Sequence, residues 1–149
     1  MNRHSRTLLL SSILVLSLLG ANLVWAEPTL KLAAHKGPIA YVSGGIGLDE
    51  SSAFKNAMKD WPLSLQFAEK EGERAHYVAD IKVILKDANN QVVFSAKSDG
   101  PFMLIKVPVG VYKIDATLAG KALHQQIEVT VGQPAKVNFL WPTAIVERR

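Results

Sequence analysis

From Leu63 onward, apolar and polar residues alternate. Leu63, Leu65 and Phe67 stand against Ser64, Gln66 and Ala68, ahead of a charged turn from Glu69 to Arg74 centred on Gly72. A period of two places every second side chain on one face of a strand, so this stretch predicts a strand and a hairpin loop. The same pattern then repeats. Apolar-alternating runs cover Tyr77 to Leu85, Val92 to Lys97, Phe102 to Val107, Tyr112 to Leu118, Leu123 to Val131 and Ala135 to Trp141. Between them fall Asp87-Ala88-Asn89-Asn90, Ser98-Asp99-Gly100-Pro101, Pro108-Val109-Gly110, Ala119-Gly120-Lys121 and Gly132-Gln133-Pro134. Turn signals about every eight to twelve residues predict an antiparallel sandwich or small barrel. Pro108 should fall at a strand end, because inside a central strand it would remove a ladder donor.

Upstream the period changes. Ile39-Ala40-Tyr41-Val42 is a short strand candidate closed by the glycine cluster Gly44-Gly45-Ile46-Gly47. Asp49 is suited to cap a helix and Glu50 to its positive end, while Ala53, Phe54, Ala57 and Met58 fall at helical spacing. One helix of about ten residues is expected, stopped by Trp61-Pro62 and laid across an open end or face of the strands. Glu27 to Pro38 reads as an extended lead-in.

Residues 1–26 carry a different signal. Arg3 and Arg6 precede an unbroken run of apolar and small hydroxyl residues from Leu8 to Leu19, and Val24-Trp25-Ala26 follows with side chains compatible with signal-peptidase cleavage. This is the pattern of a secretory signal peptide. The run is well short of the ~20 residues that span a bilayer, and no second span follows it, so the expected mature protein begins near Glu27 without a membrane span. Roughly 123 residues then remain, the size of one domain. The formal charge of +4 includes the two leader arginines, leaving 15 basic against 13 acidic residues. Lysines are dispersed without interleaved aromatics, so nucleic acid is not an expected partner. The absence of cysteine excludes disulfides, thiol nucleophiles and thiolate metal sites. It favours a bacterial periplasmic location, with secretion as the alternative.

Several of these steps resemble a known family. They are Asp87 to Phe94, then Ser98-Asp99-Gly100-Pro101-Phe102, then Val107-Pro108-Val109-Gly110-Val111-Tyr112-Lys113-Ile114, then Ala119-Gly120. Together they resemble the carboxypeptidase regulatory-like domain, in which a D-G-x-F step opens one strand and an L-x-P-G-x-Y step the next. Asp99, Gly100, Phe102, Pro108, Gly110 and Tyr112 fill those places; Pro101 and Val109 are insertions relative to the pattern. The match spans roughly Ile81 to Val131, about two fifths of the expected mature chain. With Tyr41 to Gly47 and the closing Phe139-Leu140-Trp141, the whole chain is similar to a group of proteobacterial envelope proteins carrying this domain. The resemblance implies an all-β, antiparallel, prealbumin-like (Ig-like) β-sandwich of seven or eight strands over residues 27–149, with one short α-helix after the first strand. It implies an accessory module and no particular reaction.

Candidate sites are few. Gly44, Gly45, Gly47, Asp49 and Glu50 form a glycine-rich turn entering a helix, the geometry of an anion site. The two carboxylates repel an anion, and the lysine and threonine of a phosphate loop are missing. A turn and helix cap is the principal reading, with a partner-contact surface next and a calcium site last. His76 and Asp80 lie roughly 13 Å apart along a strand, too far to share a metal unaided; His124 completes the histidines after His35. No nucleophile-and-base, paired-carboxylate or zinc motif occurs, and no cofactor is implied. The expectation is a non-catalytic envelope module that binds another protein through loops or a sheet edge. A carbohydrate or cell-wall binding module is the alternative, with Trp61 and Trp141 as the aromatic residues able to stack on sugar; a small hydrolase ranks third.

Overall fold

The alternating runs become two β-sheets that share one core. The computed structural model describes Leu30 and residues 38–142. The leader over residues 1–26, and the lead-in apart from Leu30 and Pro38, lie outside the described residues. In chain order the elements are β1 (Tyr41–Gly44), α1 (Leu48–Ala57), a 3-10 turn (Met58–Asp60), β2 (Leu63–Glu71), β3 (Arg74–Tyr77) and β4 (Lys82–Lys86). They continue with β5 (Val92–Lys97), β6 (Phe102–Ile105), β7 (Gly110–Leu118), β8 (Lys121–Val129) and β9 (Ala135–Trp141).

β2 organises the first sheet. β9 runs along it from Leu63 to Glu69, while β6 pairs with Leu63–Gln66 and β3 with Ala68–Glu71. With β9 occupying one side for seven residues, β6 and β3 lie end to end along the other, and β1 flanks β6. The second sheet has the order β5-β4-β7-β8. Leu63, Leu65 and Phe67 from β2, Phe139 and Trp141 from β9, Val83 and Leu85 from β4, and Ile114 and Ala116 from β7 are buried in the common core. Each large side chain removed from water contributes about 1.5–3 kcal/mol, the main favourable term in holding the sheets together.

The opposite face of the first sheet is covered by α1. Phe54 stacks on Phe102 with ring centroids 5.9 Å apart, and Met58 and Trp61 complete a second cluster with Val42 and Leu104. β6 is therefore buried on both faces, which explains its unbroken Phe-Met-Leu-Ile run.

Three expectations are corrected. The run from Tyr77 to Leu85 is not one strand: β3 ends at Tyr77 and β4 begins at Lys82 in the other sheet. The crossing is turned by Asp80 at φ 61° and fixed by Ile81 N donating to Ser98 Oγ (3.0 Å) and Ser98 N to the Ile81 carbonyl (2.8 Å). Alternation continues through such a change of sheet, so period alone does not reveal it, and the described residues hold nine strands where seven or eight were expected. The sheets are also not purely antiparallel, because β2 and β9 pair in parallel. Finally, Gly47 and not Asp49 caps α1, and no side chain hydrogen-bonds at that cap.

Pro108 falls between β6 and β7, and the Tyr112 hydroxyl donates to its carbonyl at 2.8 Å. No helix among the described residues is long and apolar enough to cross a membrane.

Candidate functional site

β1 stops after four residues because the chain at Gly44–Gly47 is committed to close packing. A side chain at Gly45 would place Cβ 2.3 Å from the Phe102 ring, and Gly45 itself sits at φ 96°. Across the turn, a Cβ on Gly100 would lie 2.2 Å from the Gly44 carbonyl oxygen. Asp99 N donates to Ser43 Oγ (3.0 Å), and that hydroxyl donates to the Asp99 carboxylate (3.3 Å), so the two loops are tied side by side.

Glu50 closes the turn from the helix side. Its Oε2 accepts from the backbone N–H of Ile46 at 3.0 Å, a variant of the reciprocal capping in which a glutamate in the first turn reaches back to the entering backbone. Glu50 is thus a brace, whereas Asp49, at the second helical position, is exposed and suits the positive end of the helix dipole.

This braced turn presents the two residues that the reading of glycines and carboxylates passed over. Ile46 is 67% exposed and Leu48 82% exposed. Their sequence signal was available, since Ile46 lies within a glycine turn and Leu48 directly follows Gly47 at the first position of α1, off the spacing of Phe54, Ala57 and Met58. Tyr77, 46% exposed at the end of β3, was not legible from sequence. Its ring lies 5.3 Å from that of Phe102, with Lys55 Nζ 5.5 Å above it. Of the five expected site residues, the structure brings Gly44 against Glu50 and Gly45 against Phe102, whose ring also meets Tyr77 and Lys55, while Gly47 and Asp49 are exposed.

The two tryptophans are placed elsewhere and are not surfaces. Trp61 is 9% exposed with Lys106 Nζ 5.1 Å over its ring, and Trp141 is 1% exposed with its indole N–H donating to the Lys121 carbonyl at 2.9 Å. Neither offers an open face to a sugar ring.

The histidines are also separated. His76 lies on β3 with Glu69 and Glu71 at 3.9 and 3.7 Å; His124 lies on β8 in the other sheet. His124 Nδ1 is 2.7 Å from Asp115 Oδ1, whose second oxygen is 3.0 Å from Lys86 Nζ. The bond to His124 holds the Asp115 carboxyl below its usual range; partial burial opposes this, and Lys86 adds to the lowering. Among the described residues no hydroxyl is hydrogen-bonded to His124, and no group of three or more His, Asp or Glu is placed to hold a metal.

At the opposite end from the braced turn, Ile39, Val93, Pro108 and Tyr112 line an apolar cleft of ≈ 550 Å³. Burial, with the nearby Asp87 charge, raises the Tyr112 hydroxyl above its ordinary value. The chain matches no family model, and no curated protein matches it.

Proposed function

We propose that this protein is a non-catalytic accessory module of the bacterial cell envelope, periplasmic after removal of its leader, that binds another protein through the Gly45–Asp49 turn. The observation that carries this reading is the pairing of exposure with rigidity. Ile46 and Leu48 project into solvent from a turn fixed by the Glu50 brace, the Gly45–Phe102 contact and the Ser43–Asp99 bonds. Preorganised aliphatic groups lose little freedom on binding, which is the condition under which a small surface gives useful affinity.

The prealbumin-like, carboxypeptidase regulatory-like assignment is part of the same proposal. It is supported by two sheets around one core, by Gly100 in the turn before β6, by Gly110 opening β7, and by the Tyr112 hydroxyl tied to Pro108 four residues earlier. That last contact resembles the tyrosine corners of β-sandwiches. The burial of Trp61 and Trp141 removes the stacking residues on which the carbohydrate reading relied.

The test is capture from envelope extract using the protein, Leu48→Asp and Asp49→Lys as baits, with identification of what elutes. One envelope protein enriched by the wild type and lost with Leu48→Asp, at unchanged thermal midpoint, is expected. Equal recovery by all three baits would refute the assignment to this turn. Glu50 is left intact because its carboxylate builds the turn.

A further inference from the structure

Beside the braced turn the first sheet is one strand short. β1 flanks β6 only as far as Gly44, opposite Phe102, the first residue of β6. β3 continues the row of β6, so its outer edge looks onto the place that a longer β1 would fill. The chain instead turns away at Gly45 into α1.

The register states which groups that edge offers. Val78 N donates to the Phe67 carbonyl at 3.2 Å, and in an antiparallel pair bonded and non-bonded residues alternate. Glu69–His76 and Glu71–Arg74 are therefore the bonded pairs, and Ala68–Tyr77 and Lys70–Ala75 the non-bonded ones. The N–H and C=O groups of Ala75 and Tyr77 consequently point away from β2. No hydrogen bond to them occurs among the described residues, and all four residues of β3 are exposed.

We infer that an extended segment of the partner protein adds to the first sheet as a strand along β3, in line with β1, its side chains passing Tyr77, Ile46 and Leu48. This rests on the partner-binding reading above and names the chemistry of the bound segment. Main-chain bonds to Ala75 and Tyr77 supply affinity without sequence preference, and the flanking side chains supply selection. The apolar groups call for aliphatic side chains. On β3, its hairpin and the turn facing it, the exposed carboxylates Asp49, Glu50, Glu71, Glu73 and Asp99 outnumber the cations Lys55, Lys70 and Arg74, so the complementary segment alternates aliphatic and basic residues. Such an edge is otherwise a hazard for aggregation. Here it is only four residues long, and it carries Arg74 and His76, which limit unselective pairing.

The test uses a capped hexapeptide of alternating valine and lysine, its valine–glutamate counterpart, and amide-resolved NMR of the protein and of Ala75→Pro. Proline at position 75 removes an N–H that points outward, leaves the β2–β3 ladder intact and holds Arg74 in the extended region it already occupies. The valine–lysine peptide is expected to slow exchange of the Ala75 and Tyr77 amides more than about tenfold while leaving His76, already bonded to β2, unchanged. Binding should be weaker for the glutamate peptide and lost in Ala75→Pro at a similar thermal midpoint. No protection at Ala75 and Tyr77, or equal binding by Ala75→Pro, would overturn the inference. Shifts confined to Gly45–Asp49 would overturn strand addition while leaving the turn as a contact surface; no shift at either place would count against both readings.

Discussion

Replacing Gly100 by alanine isolates the close approach that fixes the end of β1. The new Cβ would sit 2.2 Å from the Gly44 carbonyl oxygen and 2.4 Å from its carbon. Ordinary contact begins near 3.4 Å, so one backbone segment must retreat by more than an ångström. The obstacle is main chain on both sides, leaving no side chain to rotate away. Overpacking of this kind costs about 1–3 kcal/mol. Separation of the loops also strains the Asp99 N to Ser43 Oγ bond, worth roughly another 1 kcal/mol. A total near 3 kcal/mol in a domain of this size lowers the thermal midpoint by on the order of 10–20 °C. Gly72→Ala is the comparison, because Gly72 sits at φ 61° in the β2–β3 hairpin with nothing within 4 Å of the added Cβ. That change costs only the left-handed conformation of alanine, about 1–2 kcal/mol. Both substitutions restrict the unfolded chain equally, so this contribution cancels between them. Differential scanning calorimetry of the two variants is the assay. A Gly100→Ala midpoint equal to or above that of Gly72→Ala would refute the reasoning.

Other perturbations address separate parts of the fold. Tyr112→Phe removes the hydroxyl bonded to the Pro108 carbonyl and is expected to lower stability by about 1 kcal/mol in urea titration; an unchanged midpoint would show the bond to be energetically idle. Ser64 is 1% exposed with no partner for Oγ among the described residues, so Ser64→Ala should leave the protein equally stable or more so, and a loss above about 1 kcal/mol would mean the hydroxyl is satisfied. Asp115 has its carboxyl lowered in the folded state, so its contribution is complete above the unfolded value near 3.8 and is lost as pH falls through the folded one. Asp115→Asn should therefore flatten the decline of the thermal midpoint below about pH 4, and curves parallel to wild type across the acid range would contradict this.

Local alternation was the reliable guide, because it reports the face each residue gives to the core. β5 and β9 have the limits that their apolar runs indicate, and Phe54 is the buried anchor of a ten-residue helix. Events between strands were not legible. The passage from β3 to β4 turns on Asp80, inside a stretch that keeps its period, and on the buried hydroxyl of Ser98 from the turn after β5, and parallel pairing of β9 with β2 depends on contacts more than sixty residues apart. At the candidate site, the glycine cluster and Glu50 were visible as a turn and helix start, but Asp49 was assigned the capping role that falls to Gly47. The free groups at Ala75 and Tyr77 follow from which strand lies beside which, and no property of those two residues encodes them.

The parallel pairing has a consequence for when the protein can fold. β2 lies early in the domain, yet for seven residues its partner on one side is β9, which also brings Val137, Phe139 and Trp141 to the shared core. A chain emerging from the ribosome cannot close that core until Ala135–Trp141 has been made. Until then β2 lacks its neighbour along seven residues and the core lacks Val137, Phe139 and Trp141. Closure of the domain is thus a late event set by its last described strand, while the hairpins β4–β5 and β7–β8 join neighbours in sequence and can pair as soon as they are made.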